Sequence, residues 1–356
     1  MMPSLHRLVA TAALALLAAP SASAQLPGCA PMPPGSGRAG PAFAFNRVQA
    51  DVIHAVGTGT MAVGANATII VNERDLLLVD AGLSPAAMCV LFEELKPITT
   101  KPLRTVVVTH FHFDHAHGSQ VFGPEVEIIG SSFTRAQLAM GNSVRGRGYE
   151  AFIKSLPGQV AATKAARDTV TDAKRKDAAN ARIALLEQEI LADAAVIPTP
   201  PTLTLDDHLT LYRGGREIQL RYIGRAHTGG DVVVVLPKER IVVTGDMLTF
   251  GVPFMGDGFI DEWPATLEKL KALSFDTVLP GHGPAFKERE RIDWLQSYFR
   301  DLGPKIKALH DAKVTSADAA RQIDMRTHVA HYPNLTAVGV DPNAVARAYE
   351  LLDAKP

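Results

Sequence analysis

Thr109-His110-Phe111-His112-Phe113-Asp114-His115 closes an apolar run that begins at Leu103. A run without polar alternation is the pattern of a strand buried on both faces, as in the sheets of α/β proteins. The histidines therefore fall where a buried strand ends, at the carboxyl edge of its sheet. Three imidazoles and a carboxylate at positions 110–115 would be costly to desolvate without partners. Together they also form a borderline, zinc-like ligand set. In an extended His-x-His both rings can reach one face, because strand side chains repeat every two residues. The turn that follows can carry Asp114 and His115 toward a second cation. A lone histidine here would be read as an ordinary loop or core residue; the cluster points to metal binding.

Working outward, positions 66–71 and 75–79 are β-rich runs joined by Asn72-Glu73-Arg74, a hairpin signal. Ser84 is placed to cap a helix with Pro85 at its first position, running to about 96. Further strand signals occupy 126–129, 203–211, 218–223, 232–236, 241–244 and 277–279. Helical patterns cover 262–273, 287–310, 316–323 and 343–353. Two strand-rich groups, each followed by helices, predict an α/β fold of two sheets packed face to face with helices outside.

Between the groups, 135–195 shows no strand signal and carries a thin apolar stripe at Ile183, Leu186 and Ile190. That texture fits a solvated helical hairpin laid on the domain, and also a lid or dimer contact near a cleft. Pro198, Pro200 and Pro201 end it. The expected organisation is a main domain over 46–310, interrupted by this helical insertion, and a C-terminal helical extension over 311–356. In the extension and before it, Trp294, Leu295, Tyr298, Leu302, Tyr349, Leu351 and Leu352 have the spacing of packing residues.

The chain has 356 residues, 47% of them apolar, with 36 Lys+Arg against 37 Asp+Glu. This is a globular composition with material for a large core, which excludes disorder and collagen-like repeats. A net charge of −1 leaves no electrostatic footprint for nucleic acid. Two cysteines cannot build a disulfide-dense scaffold or a four-cysteine metal site.

Residues 1–24 place Arg7 before an apolar run and end on Ala22-Ser23-Ala24, the layout of a cleaved secretory signal peptide. The run is too short for a spanning helix, and no other stretch reaches that length. Positions 25–45 read as a flexible leader rich in Pro, Gly and Ala. Export to the periplasm or medium follows. Leu26-Pro27-Gly28-Cys29 resembles a bacterial lipobox, so lipidation at Cys29 is an alternative, as is pairing of Cys29 with Cys89.

Three later positions share the context of the first cluster. His227 precedes Thr228-Gly229-Gly230-Asp231, Asp246 follows the apolar run 241–244 and Gly245, and His282 lies in Pro280-Gly281-His282-Gly283. Each lies at a strand end or in the loop beyond it, where glycines let the backbone turn and expose the side chain. With HFHFDH, AHTGGD, TGD and PGHG in that order, the sequence resembles the metallo-β-lactamase superfamily over about 66–282. The motifs are similar to those of the β-lactamase-like branch called SoxH-like or quinoprotein-relay metallohydrolases. The resemblance implies a four-layered αβ/βα sandwich. It also implies a first metal held by His110, His112 and His227, and a second held by Asp114, His115 and His282. Asp246 falls where hydrolases of this superfamily place a bridging carboxylate. Two zinc ions are the implied occupants, though iron or manganese can use similar ligands.

The resemblance further implies a metal-dependent hydrolase in which a metal-bridging hydroxide attacks a small-molecule carbonyl (amide, lactam, ester or thioester), with Asp114 orienting the nucleophile. No serine stands in a G-x-S-x-G context. His117 is either a supporting group of the site or a helix N-terminal residue. One large class of zinc β-lactamases has arginine where His115 stands, cysteine where Asp246 stands, and a substrate-gripping lysine where Thr249 stands. Losing that lysine contact would weaken binding of a β-lactam carboxylate by about 1.5–3 kcal/mol. Alternatives are a hydroxyacylglutathione-hydrolase-like thioesterase or lactonase, and a non-catalytic metal-binding periplasmic protein. Positions 250 and 252–255 are read either as pocket wall or as ordinary loop packing. Substrate identity and oligomeric state are not encoded in any of these motifs.

Overall fold

The computed structural model describes residue 29 and residues 40–354. The segment 1–24 read as a signal peptide, most of the segment read as leader and the first three residues of the lipobox-like stretch lie outside them. A first sheet has seven strands in sequence order: β1 (Phe43–Gln49), β2 (Val52–Gly57), β3 (Ala67–Val71), β4 (Leu76–Val79), β5 (Leu103–Val107), β6 (Glu127–Ser131) and β7 (Leu203–Leu205). β1 to β4 pair antiparallel, and β4 to β7 pair parallel. The second sheet comprises β8 (His208–Arg213), β9 (Arg216–Tyr222), β10 (Val232–Leu236), β11 (Ile241–Gly245) and β12 (Thr277–Pro280), in the order β12-β11-β10-β9-β8.

Strand alternation explains the layers. Val232, Val234 and Leu236 face Ile70, Leu77, Val79, Val107 and Ile129 of the first sheet in one buried cluster. Their neighbours Val233 and Val235 pack instead with helix residues Trp263, Leu267, Leu295 and Phe299. Both faces of β10 are thus covered, which is why its five residues are all apolar. The helices outside the second sheet are α6 (Trp263–Lys271), α7 (Glu290–Asp311), α8 (Ser316–Gln322) and α9 (Pro342–Asp353), and they share that cluster. Outside the first sheet lies α1 (Pro85–Leu95), capped by the Ser84 hydroxyl, which accepts from the Ala87 N–H. The result is helix, sheet, sheet, helix.

Three expectations change. The strand read over 203–211 is two strands in two sheets: Asp206-Asp207 marks the crossing, after which β8 pairs antiparallel with β9. A continuous apolar–polar alternation hides such a crossing, because each half keeps its own inward face. The first sheet also reaches back into the segment read as leader, since Ala42 and Phe43 are buried and their N–H groups donate to the Glu94 carboxylate. β1 and β2 carried no clear signal because β1 is a largely exposed edge. Finally, Cys29 and Cys89 form a disulfide, so the Cys29 sulfur is not free to carry a lipid.

The insertion contains α3 (Ser132–Ala139), α4 (Arg147–Thr169) and α5 (Ala173–Asp193). α4 and α5 form an antiparallel hairpin anchored by buried Leu156, Ile183 and Leu186, with most of its surface in solvent. Among the described residues no helix is long and apolar enough to cross a membrane.

Candidate metal centre

β5, β9, β11 and β12 all end at one edge of the sandwich, and the loops beyond them meet there. After β5 the chain bends at His110 and Phe111, and His112, itself extended, precedes the short helix α2 (Phe113–Ala116). The bend presents His110 and His112 to one point: His110 Nε2 lies 3.1 Å from His112 Nδ1. The loop after β9 brings His227 Nε2 to 2.8 Å from the same His112 Nδ1. This loop is held by Asp231, whose carboxylate accepts from the Thr228 N–H and hydroxyl, and by the Val232 N–H donating to Thr109 O.

The turn of α2 places Asp114 and His115 beside the ends of β11 and β12. His282 Nε2 is 3.0 Å from Asp114 Oδ2, and His115 Nε2 is 3.7 Å from the same oxygen. Asp246 stands between the two sets. Its Oδ1 is 3.4 Å from His115 Nε2, and its Oδ2 is 3.3 Å from His282 Nε2 and 3.6 Å from His227 Nε2. The close approach depends on Gly281, where an added Cβ would sit 2.2 Å from Asp246 Oδ1 and 2.6 Å from His115 Cε1. The structure therefore brings all seven sequence-predicted side chains together.

Do these donors fit cations? In the first set two of the far ring nitrogens are engaged: His110 Nδ1 is 3.0 Å from Thr109 Oγ1, and His112 Nε2 is 3.0 Å from Asp257 Oδ2, while His227 Nδ1 is buried without a partner. Bonded to Asp257 through Nε2, His112 turns Nδ1 toward the ring nitrogens of His110 and His227. Burial first, and then mutual repulsion among the histidines, keeps His110 well below its ordinary pKa and His227 at about 3. Nitrogens converging at this distance can share N–H···N hydrogen bonds, and with those protons lost they suit a cation between them. In the second set burial opposes the charged forms, but the carboxylates win. Asp246, Asp80 and Asp114 hold His115 well above the ordinary range, and Asp246 and Asp114 raise His282 to about 10. The two aspartates stay ionised: burial would raise them, yet His115 and His282 push both far down. This second set is thus a charge-dense nest in which protons occupy places that a divalent cation can take. His115 Nε2 and Asp246 Oδ1 are buried with no hydrogen-bond partner, as unfilled ligand atoms would be. The residues fit two divalent cations.

Two residues that sequence reasoning missed support the set. Asp80, buried at the end of β4 with φ of 66°, accepts from the Thr109 N–H, the Thr109 hydroxyl and His115 Nδ1 at 2.8, 3.0 and 2.8 Å. Its position just past an apolar strand is the same signal that singled out Asp246. Asp257 holds His112; burial would raise its carboxyl, but that hydrogen bond together with attraction from His112, His227 and Arg347 keeps it below the ordinary range. It lies in a Gly-Asp-Gly loop with no comparable signal. His117 is not part of either set. It is buried against the Phe113 and Tyr149 rings, and burial lowers it to about 4.

Above the donors opens a cavity of about 540 Å³, with Asp114, Asp246, His112, His227 and His282 in its lining. Phe250, Val252, Pro253 and Phe254 form one wall, as the pocket reading of that loop expects, whereas Met255 is core. Asn142, Ser143, Tyr149 and Phe152 of the insertion form the other.

The metallo-beta-lactamase superfamily model matches residues 61–282, well over half of the chain. The chain belongs to the metallo-beta-lactamase superfamily. Its relatives are hydrolases by name. A linear primary-alkylsulfatase from Pseudomonas sp. (strain ATCC 19151) is 26% identical over 282 residues, covering 74% of this chain and 51% of that protein. A metallo-beta-lactamase type 2 from Bacteroides fragilis is 37% identical over 83 residues, 22% of this chain and 33% of that protein. The chain therefore spans about half or less of the length of these relatives. Among solved structures, a metallo-beta-lactamase from Pontibacter korlensis superposes with a TM-score of 0.52 at 17% identity, covering 73% of this chain and 99% of that one. The DIM-1 metallo-beta-lactamase does so with a TM-score of 0.51 at 17% identity, covering 73% and 98%. These structures share the fold of this superfamily member.

Proposed function

We propose that this protein is an exported dinuclear zinc hydrolase that cleaves a small carbonyl substrate. The observation that carries the reading is Asp246, whose two oxygens reach toward both donor sets at once. Two zinc ions held by His110, His112 and His227 and by Asp114, His115 and His282 would supply an acidified water and polarise the scissile bond. The chain's own residues do the rest. Asp114 lines the cavity as an ionised carboxylate and is placed to orient the attacking water. Asp80 and Asp257 fix the tautomers of His115 and His112. The phenylalanine walls exclude bulk water from the reacting atoms. In the net reaction a water oxygen bonds to the acyl carbon, the bond to nitrogen, oxygen or sulfur breaks, and the leaving group departs protonated.

Export is supported by the Ala22-Ser23-Ala24 leader and by the Cys29–Cys89 disulfide, which persists in oxidising compartments. The alkylsulfatase, matched over 74% of this chain, supports a second reading in which a sulfate ester replaces the carbonyl. Metal analysis followed by a panel of esters, thioesters, lactones, nitrocefin and alkyl sulfates tests both. Stoichiometric zinc with carbonyl turnover that His112→Ala abolishes supports the first. Turnover of sulfate esters alone supports the second, and metal without any turnover would leave only a binding protein.

A further inference from the structure

We infer that the cavity selects uncharged carboxylic esters with an apolar acyl chain of several carbons, and that the helical insertion supplies the surface that reads that chain. The inference rests on the carbonyl-hydrolase reading and narrows it. The lining contains no lysine or arginine. Thr249 lies where a cation could grip a distal carboxylate, and its hydroxyl instead donates to Gly251 O. Two arginines beside the lining are committed elsewhere, and Arg145, next to the lining Gly146, is exposed. Arg147 donates to Gly256 O and pairs with Glu350. Arg291 lies over the Phe250 ring, 3.8 Å from its centroid, and donates to Phe250 O. A negative charge carried away from the reacting carbon would thus meet no lysine or arginine in the lining.

What the chamber does offer is aromatic surface. Phe152 of α4 stacks on Phe113, which is adjacent to the ligand Asp114, with centroids 5.0 Å apart. Tyr149 meets the same ring edge-on at 5.4 Å. Across the cavity Phe254 packs against His112 with centroids 5.9 Å apart. The hairpin is seated directly on that far wall: a Cβ at Gly148 would stand 3.0 Å from the Phe254 ring. An acyl chain extending from a carbonyl at the donors has this aromatic slot as its path. Hydrolysis forms the bond from water oxygen to the acyl carbon, breaks the ester C–O bond and returns a proton to the alcohol.

The test uses the zinc-loaded full chain with p-nitrophenyl acetate, butyrate and hexanoate, and with p-nitrophenyl hydrogen adipate, which matches the hexanoate in length but ends in a carboxylate. kcat/KM is expected to rise about fourfold per added methylene, and the adipate to fall about 30-fold or more below the hexanoate. Phe152→Ala should lower the hexanoate-to-acetate ratio about tenfold, with Phe152→Leu restoring most of it. A second readout needs no turnover: calorimetric binding of methyl hexyl ketone to the metal-free chain, weakened in Phe152→Ala. A flat chain-length series, or an adipate as good as the hexanoate, would overturn the inference while leaving the hydrolase reading intact. Ketone binding that depends on Phe152 with no ester turnover would support the apolar slot and overturn its assignment to ester hydrolysis.

Discussion

Replacing Asp80 with asparagine should remove one cation and spare the other. The carboxylate receives three buried hydrogen bonds, from the Thr109 N–H, the Thr109 hydroxyl and His115 Nδ1. Hydrogen bonds to a charged group contribute about 1.5–3 kcal/mol each, and orphaning their donors costs more. Asp80→Ala is therefore expected to destabilise the fold by about 3–5 kcal/mol. Asparagine tolerates the left-handed backbone at φ of 66°. Its amide oxygen can still accept from the Thr109 N–H, so the cost should fall to about 1–2 kcal/mol. The amide NH₂, however, would face His115 Nδ1 as a donor. In the neutral imidazole that binds a cation, the proton must then sit on Nε2, the nitrogen aimed at Asp114 and Asp246. A ligand nitrogen so protonated should lower zinc affinity at the second set by about 10–100-fold. The first set is shielded, because Thr109 Oγ1 can accept from both His110 Nδ1 and the new amide. Zinc titration of the metal-free chain by calorimetry, paired with urea unfolding, reads both effects. Two sites of unchanged affinity, or loss of both sites without unfolding, would refute the tautomer argument.

Other consequences follow from the same geometry. Asp257→Ala leaves His112 Nε2 without its acceptor and should weaken the first site about 10–100-fold with little change in folding stability, measured by the same titration. Zinc affinity of the second set should rise with pH, about tenfold per unit for each proton displaced, until His282 loses its proton near pH 10; the first set, with His227 at about 3, should be much flatter from pH 6 upward. His54, buried and lowered to about 4, stays neutral in the fold while the unfolded chain is protonated below about 6.5. His54 should accordingly contribute about 3 kcal/mol to the fall in urea stability as pH drops from 6.5 to 4, a share that His54→Gln should remove. The Cys29–Cys89 bridge closes a loop with a sequence separation of 60. Cys29→Ser with Cys89→Ser should destabilise by up to about 4 kcal/mol, read as a lower Tm that reductant no longer changes.

The donor loops were legible because each ligand follows an apolar strand or sits among glycines, and strand ends in such sandwiches gather at one edge. Asp80 obeys the same rule, one strand earlier, and was passed over because a single aspartate after Leu-Leu-Val carries no histidine beside it. Asp257 gave no signal at all, since its role depends on a loop that only the folded chain brings to His112. The two-sheet arrangement could be read from runs such as 232–236, whose continuous apolarity records cover on both faces. The crossing at Asp206-Asp207 could not, because alternation is preserved when a strand changes sheets. The insertion showed its solvated character in sequence, while the pocket role of Tyr149 and Phe152 depends on where α4 lands. The edge strand β1 went unseen for lack of a buried stripe.

The central claim is that seven side chains hold two cations with Asp246 between them. Diffraction from crystals of the zinc-loaded chain, recorded on both sides of the zinc absorption edge, tests it most directly. The account predicts two anomalous peaks per chain, one bounded by His110, His112 and His227 and one by Asp114, His115 and His282, with the Asp246 carboxylate contacting both. A single peak, peaks elsewhere, or an Asp246 turned away from them would contradict it.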